Sequence, residues 1–518
     1  MCNPVSYFNR FSMQSRLNTW LVTILTLSCC CWGLWVLAKP VHIDEANFLA
    51  LTSGDWRQPH NIDINWQGQS QRAFDVLSNP PGIAWWLWPV RNQATWVMRL
   101  WMMPWVLGAV WGAIQLGKTI NNSLWPAVLL AVSPIFVLSI GGLMPDMPLL
   151  ACLLIGWGGY LKRRQPLFLL VLGCAVLFRY SALFFCVIFL ISDIVKNKVD
   201  YTILNRTMLI FAPILALFAF DLYSYGQIHF VHMIGFQTAH ISLLDRFLQA
   251  PALLSMLAGG SGLLFFPRLL DSKGPLLCGA LVAIAVVYFV PMSIGAGLWN
   301  GFWIAVGLAG FVGVLHRSSP QSRMWSFWLV LGFFFLMGLR FSATRYWMPF
   351  YFIYLMLFVN QTPLVKLKQG TAISIVVSAL LFIDDFQFAR SHYLGIQWAN
   401  SKELKGAIAG HWGFQYYAET SGWVSSEDDQ PLPQNIEFLL RSSVAWPQEP
   451  IIECVNVIDT RTFPVLTAYL PHVHQPSMHA NYHASAIYGQ PPVRSFAPFG
   501  FGSDPYDELI LYQRCDSL

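Results

Sequence analysis

The sequence predicts a polytopic α-helical membrane protein, with about 13 transmembrane helices and a small C-terminal extracytoplasmic α/β domain. Three observations predict it. Of 518 residues, 55% are hydrophobic and 11% charged, with a mean hydropathy of +0.49; a soluble protein is typically about a quarter charged and needs that charge to cover its cores. Long apolar runs alternate with short basic loops, as membrane helices do. The last stretch of about 130 residues changes to mixed polar sequence, enough for a small domain. The net charge of +5 sits mostly in loops, so it is no sign of nucleic-acid binding. The 23 Trp and 38 Phe suit aromatic belts at the bilayer surfaces.

A basic N-terminal segment, Met1 to Arg16, precedes a first apolar run at Trp20–Leu37. No small-residue cleavage site follows it convincingly, so it reads as a retained helix. Further spans are expected at Ala94–Leu116, Leu124–Ile140, Met147–Leu161, Leu167–Phe178, Ser181–Ile194 and Met208–Tyr223. Pro251–Phe266, Leu276–Gly297, Phe302–Leu315, Met324–Leu339, Tyr346–Val359 and Thr371–Ile383 complete the set. Leu167 to Ile194 reads as a hairpin rather than one helix. A single helix would hold Arg179 at the bilayer centre, which is costly, and Lys162, Arg163, Arg164, Lys196 and Lys198 make both flanks basic.

Odd parity then puts the N-terminus in the cytoplasm and the C-terminus outside. Inside loops hold Lys118, Arg206, Arg268, Lys273, Arg317, Arg323, Lys366 and Lys368 besides those basic flanks, against Asp193, Asp200 and Asp271. That asymmetry sets the orientation. A transmembrane domain is expected at 1–386, with a first outer loop at 39–92, and the extracytoplasmic domain at 387–518. Within the latter, Pro450–Val457, Val465–Leu470 and Glu508–Tyr512 read as strands. Most cysteines lie in apolar runs, where they act as small hydrophobes. Cys454 and Cys515 lie in the outer region, where a disulfide is permitted.

Candidate functional residues collect on the outer face. His42-Ile43-Asp44-Glu45 follows the first helix, and Asp146 opens the fourth span within Met144-Pro145-Asp146-Met147-Pro148. One acid at a helix start merely suits the macrodipole. Two acid sites at one membrane surface favour chemistry, since such acids pair, bind cations or move protons. Arg340 and Arg345 flank an outer junction, and Arg179 sits at a hairpin tip; arginines there either snorkel or clamp a phosphate. Ser78-Asn79-Pro80-Pro81-Gly82 reads as a turn before the interfacial run Ile83–Val90. The second outer loop carries His229, His232 and His240. His472, His474, His479 and His483 match no zinc spacing, and surface histidines are the expectation for them. Walker, dinucleotide-binding and Gly-x-Ser-x-Gly motifs are absent.

Taken in order, these pieces resemble the GT-C superfamily of membrane glycosyltransferases. The likeness is greatest to the branch holding protein O-mannosyltransferases and the bacterial lipid A aminoarabinose and galacturonic acid transferases. It rests on Asp44-Glu45, Asn79-Pro80-Pro81-Gly82, Pro145-Asp146-Met147-Pro148, the segment Leu172 to Leu183, and Arg345-Tyr346-Trp347-Met348-Pro349. The resemblance implies transfer of a sugar from a polyprenyl-phosphate donor to a lipid, glycan or protein acceptor, with inversion, at the periplasmic face of a bacterial inner membrane. Asp44 would be the catalytic base, Glu45 its neighbour and Asp146 the second acid. Asp44 and Asp146 would be the residues to hold a divalent metal cation. Arg340, Arg345 and Arg179 would neutralise the donor phosphate, and Asn79, Pro80 and Pro81 would form the substrate loop. Where the aminoarabinose enzymes carry a Glu-Lys pair before Pro-Pro, this chain has Ser78 and Asn79.

A lipid or polysaccharide transporter is the alternative. It calls for internal repeats and mid-membrane polar residues, whereas the charges here cluster at the outer surface and no repeat is visible. A non-catalytic scaffold would leave Asp44 and Asp146 without purpose.

Overall fold

A computed structural model describes residues 20–515, apart from 24, 29, 67, 164, 197–200, 239–242, 265, 270–276, 278–279, 282–283, 285–287, 289–291, 317–321, 340–341, 453 and 488–492. Among the described residues, four helices are long and apolar enough to cross a membrane: Thr95–Asn121, Ile203–Tyr225, Ile294–His316 and Leu364–Asn400. Shorter apolar helices include Trp20–Val36, Leu167–Leu177, Ala182–Val195 and Arg323–Met337. The expected span at Leu276–Gly297 lies largely outside the described residues.

Helices Thr95–Leu116 and Asp146–Arg163 approach closely through small residues, as membrane helices do. A side chain on Gly112 would strike the backbone of Leu154 and Ile155, and one on Gly158 would lie 2.7 Å from the Gly112 carbonyl. This contact locks the helix that begins at Asp146 against the helix that carries Arg99.

Two expected spans are broken, for stated reasons. Leu124–Ile140 divides into Trp125–Val132 and Pro134–Val137, because Pro134 forces Ser133 into extended backbone. The carbonyl of Val132 then accepts hydrogen bonds from Ser378 and Ser374 at 2.7 and 3.2 Å, which satisfies it without water. Between Leu167–Cys174 and Ala182–Lys196 the chain turns at Phe178–Ser181. Cys186 Sγ lies 3.9 Å from the Leu172 carbonyl, which a straight helix at 1.5 Å per residue would hold about 20 Å away.

The Leu364–Asn400 helix is far longer than the expected Thr371–Ile383 span, and it runs unbroken through the expected boundary at 386. Just past its midpoint two adjacent acids bind segments distant in sequence. Asp384 accepts from His472 Nδ1 (2.7 Å), the Val473 N–H (2.6 Å) and the Tyr506 hydroxyl (2.6 Å). Asp385 binds Lys39, His42 and His483.

Beyond it lies a five-stranded mixed sheet, ordered Val424–Ser425, Ala407–Ala409, Phe438–Ser442, Asp507–Arg514, Val455–Phe463. The first three strands run parallel and the last two join antiparallel. Cys454 and Cys515 form a disulfide between the outer strands' ends. The segment expected as a strand at Val465–Leu470 is turn instead, enclosed by Pro464 and Pro471. This region packs on the first outer loop: the Val41 N–H donates to Tyr417 at 2.7 Å, and Asn65 donates to the Ser426 carbonyl at 2.9 Å.

Candidate active site

Asp44 precedes the short helix Glu45–Ala50. The residue before it, Ile43, has φ +47°, a conformation that a β-branched side chain resists. The surroundings therefore hold this turn in place, and the principal restraint is Arg99. Its fully buried guanidinium donates to both Glu45 oxygens (3.0 and 2.9 Å) and to the carbonyls of Lys39, Pro40 and Gly141 (2.8, 2.6 and 2.8 Å). Glu45 also accepts from the His42 and Leu143 N–H groups, at 2.9 and 3.0 Å. Burial opposes its ionisation, and the Arg99 charge and hydrogen bonds outweigh this and hold its carboxyl below the ordinary range. Glu45 thus faces away from Asp44 and joins the first loop to the Gly141–Leu143 turn that leads to Asp146.

Asp44 and Asp146 meet at one guanidinium. Arg345 Nη2 lies 2.5 Å from Asp44 Oδ2, and Arg345 Nε lies 3.7 Å from Asp146 Oδ2. Arg179 Nη1 approaches Asp146 Oδ1 at 3.4 Å. Both arginines lie over the Tyr346 ring, at 4.5 and 5.4 Å from its centroid, a cation–π arrangement that orients them. All four charged side chains are at most 14% exposed. Burial, the largest influence, raises the Asp44 pKa against the pull of Arg345 and Arg179. Arg340 lies outside the described residues.

From Arg179 and Tyr346 an apolar groove of about 660 Å³ leads away between Leu183, Phe184, Phe230 and Phe335. Its residues Val187, Ile234 and Phe334 are 45–62% exposed, so the groove is open at the surface of the protein. Asn79 lines its head. The Asn79–Gly82 turn is held by His60, whose Nε2 donates to the Asn79 carbonyl at 2.9 Å. It also needs Gly82, since any side chain there would meet the Leu177 carbonyl. That contact seats the turn against the bend carrying Arg179. In the second outer loop, His229 meets the Tyr180 hydroxyl at 2.8 Å and His232 approaches Asp75 at 3.2 Å; His240 lies outside the described residues.

Sequence reasoning missed the part played by the C-terminal region. A small cavity of about 40 Å³ beside Asp146 and Arg345 is closed by Tyr482 and His483. Thr344 donates to the Tyr482 carbonyl at 2.7 Å and Arg345 to that of His483 at 3.5 Å. His472, His474 and His483 were expected at the surface; the first two are at most 4% exposed, and His483 is half-buried against Asp385. Nothing in local spacing signalled this, because the partners are over 80 residues distant.

The Asp44–Asp146 pair does not fit a divalent cation as placed. Two carboxylates already face two guanidiniums, so the local charge is balanced without an ion, although Asp146 Oδ2 itself has no hydrogen-bond partner.

Fold and site together define a helical membrane protein in which paired acids and paired arginines meet beside an apolar groove. The chain is similar to the crystal structure of ArnT from Cupriavidus metallidurans bound to undecaprenyl phosphate, with 12% identity and a TM-score of 0.42, over 82% of this chain and 93% of that one. The apo state of the same protein gives 12% identity and a TM-score of 0.40 over the same shares. No family model matches the chain, and no curated protein matches it.

Proposed function

We propose that the protein is a glycosyltransferase of the outer membrane face, moving a sugar from a polyprenyl-phosphate donor to a lipid, glycan or protein acceptor. One observation carries this reading: Arg179 lines the apolar groove and reaches Asp146 at 3.4 Å, and Arg345, over the same Tyr346 ring, joins Asp146 to Asp44. A lipid phosphate with its chain in the groove would bring its headgroup to both guanidiniums, and the anomeric carbon would face Asp44.

The groups then act as follows. The acceptor oxygen attacks the anomeric carbon while Asp44 takes its proton. The bond from that carbon to the phosphate oxygen breaks, and the departing polyprenyl phosphate is neutralised by Arg345 and Arg179. Direct displacement inverts the anomeric centre. Asp146 holds Arg345 and Arg179 in place and orients the acceptor. Burial raises the Asp44 pKa against the pull of Arg345 and Arg179, which makes its carboxylate a stronger base. Glu45 is a positioning residue in this scheme.

Sidedness is supported by the Cys454–Cys515 disulfide, which belongs to an oxidising compartment, and by the basic inside loops. Both fit a cytoplasmic N-terminus, about 13 spans and a periplasmic C-terminal region in a bacterial inner membrane. Replacing Asp44 by Asn should abolish glycan transfer in cells while leaving expression unchanged, read by mass spectrometry of envelope lipids and glycans against a deletion strain. Retained transfer would sink the mechanism, and a glycan that is made but stranded on the inner leaflet would favour a transporter.

A further inference from the structure

We propose that His42, Asp385 and His483 form a binding site for a divalent transition metal of the zinc class, separate from the Asp44–Asp146 pair. Among the described residues these three are the group whose ligand atoms converge, all within 4.8 Å of one another. They come from the first outer loop, the middle of the Leu364–Asn400 helix and the C-terminal region. Two imidazoles and one carboxylate are a donor set that zinc favours, with a fourth position open to water or substrate.

The distances suit that ion. His42 Nε2 and His483 Nε2 lie 3.1 and 2.7 Å from the same oxygen, Asp385 Oδ1. Tetrahedral bonds of about 2.0–2.1 Å set ligand atoms about 3.3 Å apart, so the two His–Asp385 edges are within about half an ångström of that spacing, and the third edge lies within 4.8 Å. Lys39 binds the other oxygen of Asp385, which orients the carboxylate as outer hydrogen-bond partners of metal ligands do.

Two further features point to a ligand. The cavity beside His42 and His483 has a volume of about 40 Å³, room for a water or one ligand oxygen, and Asp146 and Arg345 line the same cavity. Next to the set, His474 is 4% exposed with no hydrogen-bond partner on either nitrogen, and His42 Nδ1 is also unpartnered. Both rings pack on Phe388, at 5.5 and 5.0 Å. Unpartnered buried polar groups are costly, and a nearby bound ion with its ordered water would supply what they lack. The inference does not rest on glycosyl transfer.

The test uses the full chain purified in detergent, stripped with chelator and titrated with Co²⁺ or Zn²⁺ alone. The expected result is one metal per chain by elemental analysis, with the visible absorption of four- or five-coordinate Co²⁺. His483→Gln should weaken binding by more than about 100-fold, and His479→Gln should leave it unchanged. His483 is 15% exposed in its side chain, so the substitution opens no core cavity; gel filtration and thermal stability check that it folds. Less than a tenth of a metal per chain, or full-affinity binding by a folded His483→Gln, overturns the proposal.

Discussion

Arg99→Met isolates the device that brings the two acids to one place. The methionine keeps much of the apolar volume and removes all five guanidinium hydrogen bonds. It leaves the Glu45 carboxylate buried at 3% exposure with only the backbone donors of His42 and Leu143. Removing one partner of a buried ion pair typically costs about 3–5 kcal/mol. If half of a mid-range 4 kcal/mol appears in the unfolding rate, unfolding accelerates about 30-fold. The assay is the half-life of monodisperse protein in detergent at fixed temperature, a rate suited to proteins that unfold irreversibly. Glu45→Gln keeps the shape but turns one acceptor into a donor facing other donors, and should also accelerate unfolding. The double variant should cost less than the sum of the two, as coupled partners do. An Arg99→Met protein as long-lived as wild type would refute the clamp. A Glu45→Gln protein of full stability and no transfer would show that Glu45 takes part in the chemistry itself.

Other consequences are directly measurable. Arg345→Lys keeps the charge but loses the fork that spans Asp44 and Asp146; transfer should fall by about 10²–10³ with little loss of stability, and unchanged transfer would remove Arg345 from the site. Asp507 is buried and its pKa is pushed up to about 7. Its folded form therefore holds the proton more tightly than the unfolded chain, so stability is greatest in acid and falls as pH rises from about 4 to 7, by on the order of 4 kcal/mol. Asp507→Asn should flatten that limb in pH-dependent thermal melts, and an unaltered profile would contradict it. The Cys454–Cys515 disulfide closes 61 residues of sequence separation, for which chain entropy gives about 4 kcal/mol; reductant or Cys454→Ser should sharply shorten the half-life of the outer sheet, read by limited proteolysis.

Much was legible because membrane physics writes itself into composition. The apolar runs, the basic loops and the break at Arg179 follow from the cost of unsatisfied backbone and charge in lipid, and each depends on residues near in sequence. Asp44 and Asp146 stood out for the same reason, as acids at span ends. Other features depend on distant partners. Whether Glu45 faced substrate or structure was decided by Arg99, 54 residues away, and no spacing rule relates the two. Asp385, two residues past the expected Thr371–Ile383 span, gains its partners Lys39, His42 and His483 only through the fold. The long Leu364–Asn400 helix shows the same limit, since hydropathy marks where lipid ends and not where the helix does. Sequence alone thus marked which segments are apolar enough for lipid and which acids stand at their ends. Tertiary structure decided which outward acids are free to react, because a buried charge is defined by the partners that neutralise it.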